Sequence, residues 1–345
     1  MNFSDNGPVP SHETWDVHDS SKVQEFLVCP RKYFFKYILG WQREGKNVNL
    51  IFGEGIHKAM EVLLINLKEV GYSPESIIEA YSAFLSFFRK SFSSEDDIIL
   101  QEGRQGAKTP AYVMDALTAY AVRWEDEDKE KEVLHVEVAG TVPVSHRHRL
   151  HFRIDSILRD KNGLVRSMEH KTGSYLSAAW RDQWLTKNQI LTYTHVLMCE
   201  YGPDKVWGVE INGFIAGKGT AAYVNEHRTG YQFERVPVRK KREAMNAWLW
   251  EMNYHLDMIQ WNIDQLMKAS PNDRVMAAFP KNTESCTKYN RPCTFLPYCS
   301  AWGNPLKYAG TVQPGLIKEW WDPRDFRKQA GKVVDISEDV LNEQK

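Results

Sequence analysis

Apolar residues recur with two different periods along this chain, and the switch between them marks out its elements. Ile56, Ala59, Met60, Leu63, Leu64, Leu67 and Val70 repeat every three to four residues and predict an amphipathic helix that Gly53 and Gly55 precede. Further helices are predicted over 74–92, 110–128, 189–202 and about 239–269. Nearer the start, Ser20 or Ser21 caps a helix through Val23, Phe26 and Leu27, which Cys29-Pro30 interrupts and which resumes as far as Gly40. From 133 to 171 the period drops to two. A strand is predicted over 133–143, with Glu137 set among alternating apolar positions. In the next strand Leu150, Phe152 and Ile154 alternate with His151, Arg153 and Asp155. A turn at Asp160-Lys161-Asn162-Gly163 leads to a strand in which Val165, Ser167, Glu169 and Lys171 share one face. Later strands are predicted over 206–216 and 231–238.

The hairpin changes the picture from pattern to chemistry. It brings Asp155 beside Glu169 and Lys171. Two carboxylates offer hard oxygen ligands to Mg²⁺ or Mn²⁺, which polarise a phosphoryl oxygen and acidify a bound water. A lysine beside them positions that water or holds negative charge in the transition state. Taken alone, this spacing recurs by chance, and an exposed Glu/Lys pair is the commoner outcome. His57, at the border of its helix stripe, reads on its own as a half-buried histidine paired with Glu61 one turn on.

Composition sets bounds. The chain has 345 residues, 42% of them apolar, enough for one large domain with an insertion. A net charge of −1 provides no global basic field, so any nucleic-acid contact must come from local patches. No apolar run is long enough to span a membrane, and the polar start lacks an apolar signal core, so a cytoplasmic location is expected. The acidic run from Trp124 to Glu132 reads as a solvated face. The basic run Arg239-Lys240-Lys241-Arg242 could contact phosphate but reads more readily as solvated. Trp180 and Trp184 are as readily packed as stacked on a base. The GKGT at 217–220 fails the phosphate-loop pattern, because Gly219 stands where Ser or Thr should follow the lysine. An ATPase reading is rejected, and any helicase must be a separate partner.

Cys286, Cys293 and Cys299 fall within fourteen residues. Cys199 sits amid Val196, Leu197 and Met198 and reads as a small core residue. Cys29 is then the natural fourth member of a metal site that staples the two ends of the domain, with zinc and an iron–sulfur cluster both open.

Asp155, Glu169-His170-Lys171, the stretch GEGIHKAM around His57 and the pair Gln189/Tyr193 together resemble the RecB-like branch of the PD-(D/E)XK nuclease superfamily. CPRKYFFKY near the start and the three-cysteine patch resemble its iron–sulfur members, the AddB-type nuclease domains and the CRISPR-adaptation Cas exonucleases, with phage-encoded relatives. The resemblance covers roughly residues 20–302. It implies an α/β, restriction-endonuclease-like core with a central mixed sheet flanked by helices. It implies metal ligation by His57, Asp155, Glu169 and the backbone carbonyl of His170, a catalytic Lys171, and DNA placement by Gln189 and Tyr193. It also implies a [4Fe–4S] cluster on Cys29, Cys286, Cys293 and Cys299, with structural Zn²⁺ as the alternative. The six residues between Cys286 and Cys293 depart from the two usual in these families, whereas the five before Cys299 agree.

The expected organisation is a flexible lead over 1–19, one nuclease domain over 20–310 with a helical insertion at about 55–130, and an appendage or tail over 311–345. The expected activity is metal-dependent exonuclease hydrolysis of single-stranded DNA or DNA ends, in recombination, repair or phage DNA metabolism, in the cytoplasm or, for a phage-encoded protein, the host cytoplasm. A recombination protein or helicase is the expected partner. The rival is a non-cleaving DNA-binding or scaffolding subunit, which the intact set His57, Asp155, Glu169 and Lys171 disfavours.

Overall fold

The computed structural model describes residues 7–67, 69–102, 108–217, 231–288 and 291–343. Lys218, Gly219 and Thr220 of the rejected phosphate-loop motif lie outside the described residues. A six-stranded sheet forms the centre: β2 (Glu132–Pro143), β3 (Arg149–Arg159), β4 (Val165–Gly173), β5 (Val206–Ala216), β6 (Tyr231–Val238) and β8 (Lys332–Asp335). Their spatial order is β6-β5-β4-β3-β2-β8. The β4–β5 and β2–β8 pairs are parallel and the others antiparallel, so the sheet is mixed.

Two apolar clusters sandwich this sheet. One joins residues of β2, β3 and β5 to α1 (Ser20–Val28), α8 (Asn188–Tyr201) and α9 (Arg242–Lys268). The other joins Leu158, Met168 and Phe214 to α3 (Val48–Leu67), α4 (Pro74–Phe88) and α6 (Pro110–Lys129). The predicted period accounts for much of this, since α3 buries Ile56, Ala59, Met60, Leu63, Leu64 and Leu67 of its stripe.

Several expectations change. Helix α3 starts at Val48, so Gly53 and Gly55 lie within it rather than before it. Their value is close approach: a Cβ at Gly55 would meet the Phe84 ring at 2.8 Å and one at Gly53 would meet Thr172 Oγ1 at 3.1 Å. Val70 falls beyond the helix and is exposed. Asp19, not Ser20 or Ser21, caps α1, its Oδ1 accepting from Lys22 N at 2.8 Å. The acidic run continues α6 as far as Lys129 and is largely exposed, but Asp128 within it is fully buried.

The two ends of the chain also pack where flexible segments were expected. Residues 1–6 lie outside the described residues, but Trp15 is fully buried and its indole donates to the Ile38 carbonyl. In place of an appendage, residues 311–345 supply two strands: β7 (Leu316–Lys318) pairs with β1 (Trp41–Arg43), and β8 extends the central sheet beside β2. The segment is too short of apolar residues to show periodicity because backbone ladders, not a buried stripe, hold it. Gly140 makes the last pairing possible, since a Cβ there would lie 1.7 Å from the Val334 carbonyl oxygen. Gly140→Val is therefore expected to dislodge β8, cost about 1–3 kcal/mol in urea unfolding, and open the C-terminal strand to limited proteolysis.

Candidate active site

β3 and β4 pair only from Arg159–Val165 to Ser156–Met168, and beyond that point the ladder stops. β4 stays paired with β5 through Gly173 and β3 with β2 as far as Arg149, so the sheet opens between β3 and β4. Asp155 is the first residue past the parting. Its Oδ2 accepts the His170 backbone N–H at 2.7 Å, taking the place of a strand partner. Its Oδ1 lies 3.1 Å from His57 Nδ1, presented by the buried stripe of α3. The expected His57–Glu61 pairing is not what forms; Glu61 binds Lys58 instead.

Glu169 and Lys171, two apart on β4, project together as their period requires. Lys171 Nζ donates to Glu169 Oε1 at 2.5 Å and to Gln189 Oε1 at 2.9 Å. Gln189 Nε2 donates to the Tyr193 hydroxyl at 2.8 Å, one helical turn on, and that hydroxyl donates to the Arg153 carbonyl. His57, Asp155, Glu169, Lys171, Gln189 and Tyr193 thus line one cavity of about 170 Å³.

Charge in this cavity is unevenly shared. Burial alone would raise Asp155, but the charge and hydrogen bond of His57, with His170 and Lys171 nearby, hold it well below the carboxylate range. Burial and the neighbouring Asp155 charge push Glu169 up to about 7 against the pull of Lys171. Burial would lower His57, and Asp155 reverses that and raises it. Glu169 Oε2 is buried with no hydrogen-bond partner. Oxygen and imidazole donors of this kind suit Mg²⁺ or Mn²⁺, and the orphaned oxygen supplies an unused lone pair. Among the described residues no three His, Cys, Asp or Glu side chains are already spaced around a metal position. The reason is local: both Asp155 oxygens and Glu169 Oε1 are spent on protein donors.

Behind the cavity runs a polar chain that sequence reasoning missed. Asn212 Nδ2 lies 3.0 Å from His170 Nδ1 and donates to Tyr120 at 2.9 Å. Arg235 donates to Tyr120 and, through both Nη atoms, to Asp128 at 2.7 Å. Burial, with His57 and Arg235 nearby, lowers His170 to about 4, so its ring stays neutral. The acidic run that seemed solvated is thus the counter-ion source for Arg235. A second missed residue is Glu137, whose φ of 50° is left-handed and whose Oε2 is buried without a hydrogen bond. Its one signal in the sequence was a charge among alternating apolar positions.

The other predicted residues fall elsewhere. Trp184 is buried, and Trp180 packs edge-on against it and over Gly213, where a Cβ would meet its ring at 2.4 Å. Both tryptophans are structural here. Arg239 lies over the Trp207 ring at 4.4 Å. Cys29 and Cys293 lie near enough to influence the Cys299 thiol, and Cys29 and Cys286 the Cys293 thiol, yet among the described residues no three of the cysteines are spaced to hold a metal ion. Cys29 follows α1 and its Sγ accepts from Asn282 N at 3.4 Å; Cys293 N donates to the Cys286 carbonyl at 2.7 Å. Burial pushes the Cys299 thiol up to about 11, against Arg31 and Lys281 and with Cys29 and Cys293 adding to the rise. All four are free thiols.

Two carboxylates and a lysine from the parting strands meet a histidine from α3 in one cavity, a set of groups suited to metal-dependent phosphodiester hydrolysis. The sequence matches the PD-(D/E)XK nuclease superfamily over residues 20–300, and the chain belongs to that superfamily. Membership implies a metal-dependent nuclease that acts on DNA, generally with Mg²⁺ or Mn²⁺. No curated protein matches the sequence. Among the described residues no helix is long and apolar enough to cross a membrane.

Asp128 carries a prediction that is independent of catalysis. Among the described residues Asp128→Ala leaves the buried Arg235 with Glu127 at 2.9 Å and Glu210 at 4.0 Å as its carboxylate partners. Chemical denaturation is expected to show a loss of about 3 kcal/mol.

Proposed function

We propose that this chain is an exonuclease of the RecB-like branch, related to its iron–sulfur members, that hydrolyses single-stranded DNA or DNA ends in recombination, repair or phage DNA metabolism. One observation carries the reading: His57, Asp155, Glu169 and Lys171 line a single cavity where β3 and β4 part. His57, Asp155 and Glu169 are the residues to hold Mg²⁺ or Mn²⁺, with the His170 backbone beside them. The bound ion would supply Lewis-acid polarisation of the phosphate and a more acidic water. Glu169 Oε2, which has no hydrogen-bond partner, would be free to contribute to such a site.

Lys171 is the catalytic lysine in this reading. Its ammonium orients water and offsets charge on the phosphate as the bond breaks. Gln189 and Glu169 fix it from two sides, which keeps a flexible four-carbon stem in one place. Gln189 and Tyr193 then place DNA through the groups they hold, Lys171 and the Arg153 backbone. The chain unwinds nothing by itself in this reading, and a separate helicase or recombination protein prepares its substrate.

Cys29, Cys286, Cys293 and Cys299 are the proposed ligands of a structural [4Fe–4S] cluster, with zinc as the alternative. What supports the assignment is that Cys29, just past α1, lies near enough to Cys293 and Cys299 to influence their thiols. Anaerobic purification is expected to give a brown protein with broad absorption near 400 nm, roughly the range of thiolate–iron charge transfer. A colourless protein with one bound zinc would replace the cluster by zinc.

The central test is degradation of end-labelled single- and double-stranded DNA with Mg²⁺ or Mn²⁺, beside Lys171→Ala. The variant is expected to lose at least about a hundredfold in rate while its melting curve and DNA binding hold. Undiminished cleavage by the variant removes the lysine assignment. If neither protein cleaves while both bind DNA, the scaffolding role takes its place.

A further inference from the structure

We propose that Arg153 is the phosphate clamp of this cavity and that Glu137 is the positioning residue that aims it. The proposal rests on the nuclease reading and adds to it a substrate contact.

Arg153 stands two residues before Asp155 on β3, so the two share a strand face. Both line the 170 Å³ cavity. Arg153 and His57 also line an adjoining cavity of about 350 Å³, so the arginine stands at the boundary between the two. Among the described residues its guanidinium donates no hydrogen bond. Its nearest charge is Glu137 Oε2, 3.8 Å from Nε and outside hydrogen-bond reach. The Phe326 ring lies 5.5 Å from its central carbon. The contrast with Arg235 is direct: that arginine is spent on Asp128 and Tyr120, whereas Arg153 keeps its donor fork uncommitted at a partly open position.

Glu137 is the second observation. Its neighbours Val136 and Val138 pair with Ser156 and Ile154, so Glu137 stands opposite Asp155 across the β2–β3 ladder. It is buried, holds a left-handed backbone that disfavours any side chain, and leaves Oε2 without a hydrogen bond. Strain of this kind persists where surroundings over-determine it. Here the Glu137 carbonyl accepts from Gly331 N at 2.7 Å, next to β8. The result is a carboxylate near the guanidinium that attracts it without capturing its N–H groups. On the other side, the Tyr193 hydroxyl donates to the Arg153 carbonyl. The relay that holds Lys171 therefore also fixes the backbone from which Arg153 projects.

A planar fork of N–H donors matches two non-bridging oxygens of one phosphate, which an ammonium cannot do. Lys171 supplies a point charge and Arg153 supplies orientation. No bond to Arg153 forms or breaks; it binds the phosphate before attack and more tightly as charge accumulates.

The test uses the full chain, Mn²⁺ and an end-labelled single-stranded oligonucleotide. Arg153→Ala is expected to lower kcat/KM by about a hundredfold, and millimolar methylguanidine is expected to restore part of the loss. Arg153→Lys, which keeps the charge and the fold, is expected to recover less than a tenth of wild-type activity. Glu137→Gln is expected to lower kcat about tenfold, in line with a misplaced donor, with its melting temperature unchanged. A wild-type chain that cleaves no DNA overturns the nuclease reading and this assignment with it. Wild-type cleavage together with an undiminished rate in Arg153→Ala, or full activity in Arg153→Lys, overturns the clamp alone. A loss in Arg153→Ala that tracks a lowered melting temperature and resists methylguanidine also overturns it, because it marks a structural ion pair.

Discussion

A buried carboxylate must be paired, and the site of this protein is built around that requirement. Asp155 sits where β3 leaves β4, so the His170 amide loses its strand partner at the same place. Each group satisfies the other, and His57 satisfies the remaining oxygen. The parting of the sheet is therefore stable only because a carboxylate fills it. An apolar residue at 155 would leave the His170 amide stranded in the core, which costs roughly 1–3 kcal/mol. Glu169 then meets a cavity that already holds a negative charge, which is why it retains its proton so readily and keeps one oxygen unpaired.

The support behind the site is ionic as well, and it comes from far away in sequence. α6 delivers Asp128 and Tyr120, β6 delivers Arg235 and β5 delivers Asn212, and the chain they form reaches the His170 ring through Asn212. Asn212 donates to Nδ1, which leaves the proton on Nε2 and fixes the tautomer. The helices packed on this face thus do more than cover the sheet. They set the orientation of a ring that stands edge-on to His57 at 5.8 Å.

Much of this was legible in the sequence, for reasons that differ by element. Strand alternation placed Glu169 with Lys171, and helical spacing placed Gln189 with Tyr193, because both periods are local properties. The partner of His57 was not legible, since Glu61 lies one turn away while Asp155 lies 98 residues away. Asp128 looked solvated because its run is acidic, and only the fold reveals the arginine it faces. Glu137 and Arg153 were visible merely as positions in an alternating pattern. What marks them is a backbone angle and an uncommitted guanidinium, neither of which any spacing encodes. The C-terminal strands escaped notice because a ladder needs backbone groups, not a recognisable side-chain pattern.

The pairing of the chain's two ends has a consequence for how the protein folds. Arg31 donates to the Phe279 carbonyl, Trp321 donates to Asp19, and Trp41 faces Lys318 in a ladder. Phe34, Phe35 and Trp41 form a buried aromatic group with Phe279, Phe295 and Trp302. During synthesis these early aromatic residues emerge more than 200 residues ahead of the partners that cover them. Loops of that length close slowly, and uncovered aromatic surface invites association with other chains. The nascent chain therefore carries uncovered aromatic surface until residue 279 appears. Whatever joins the two ends, protein contacts alone or a cluster on the four cysteines, acts as the latch that ends this exposed period.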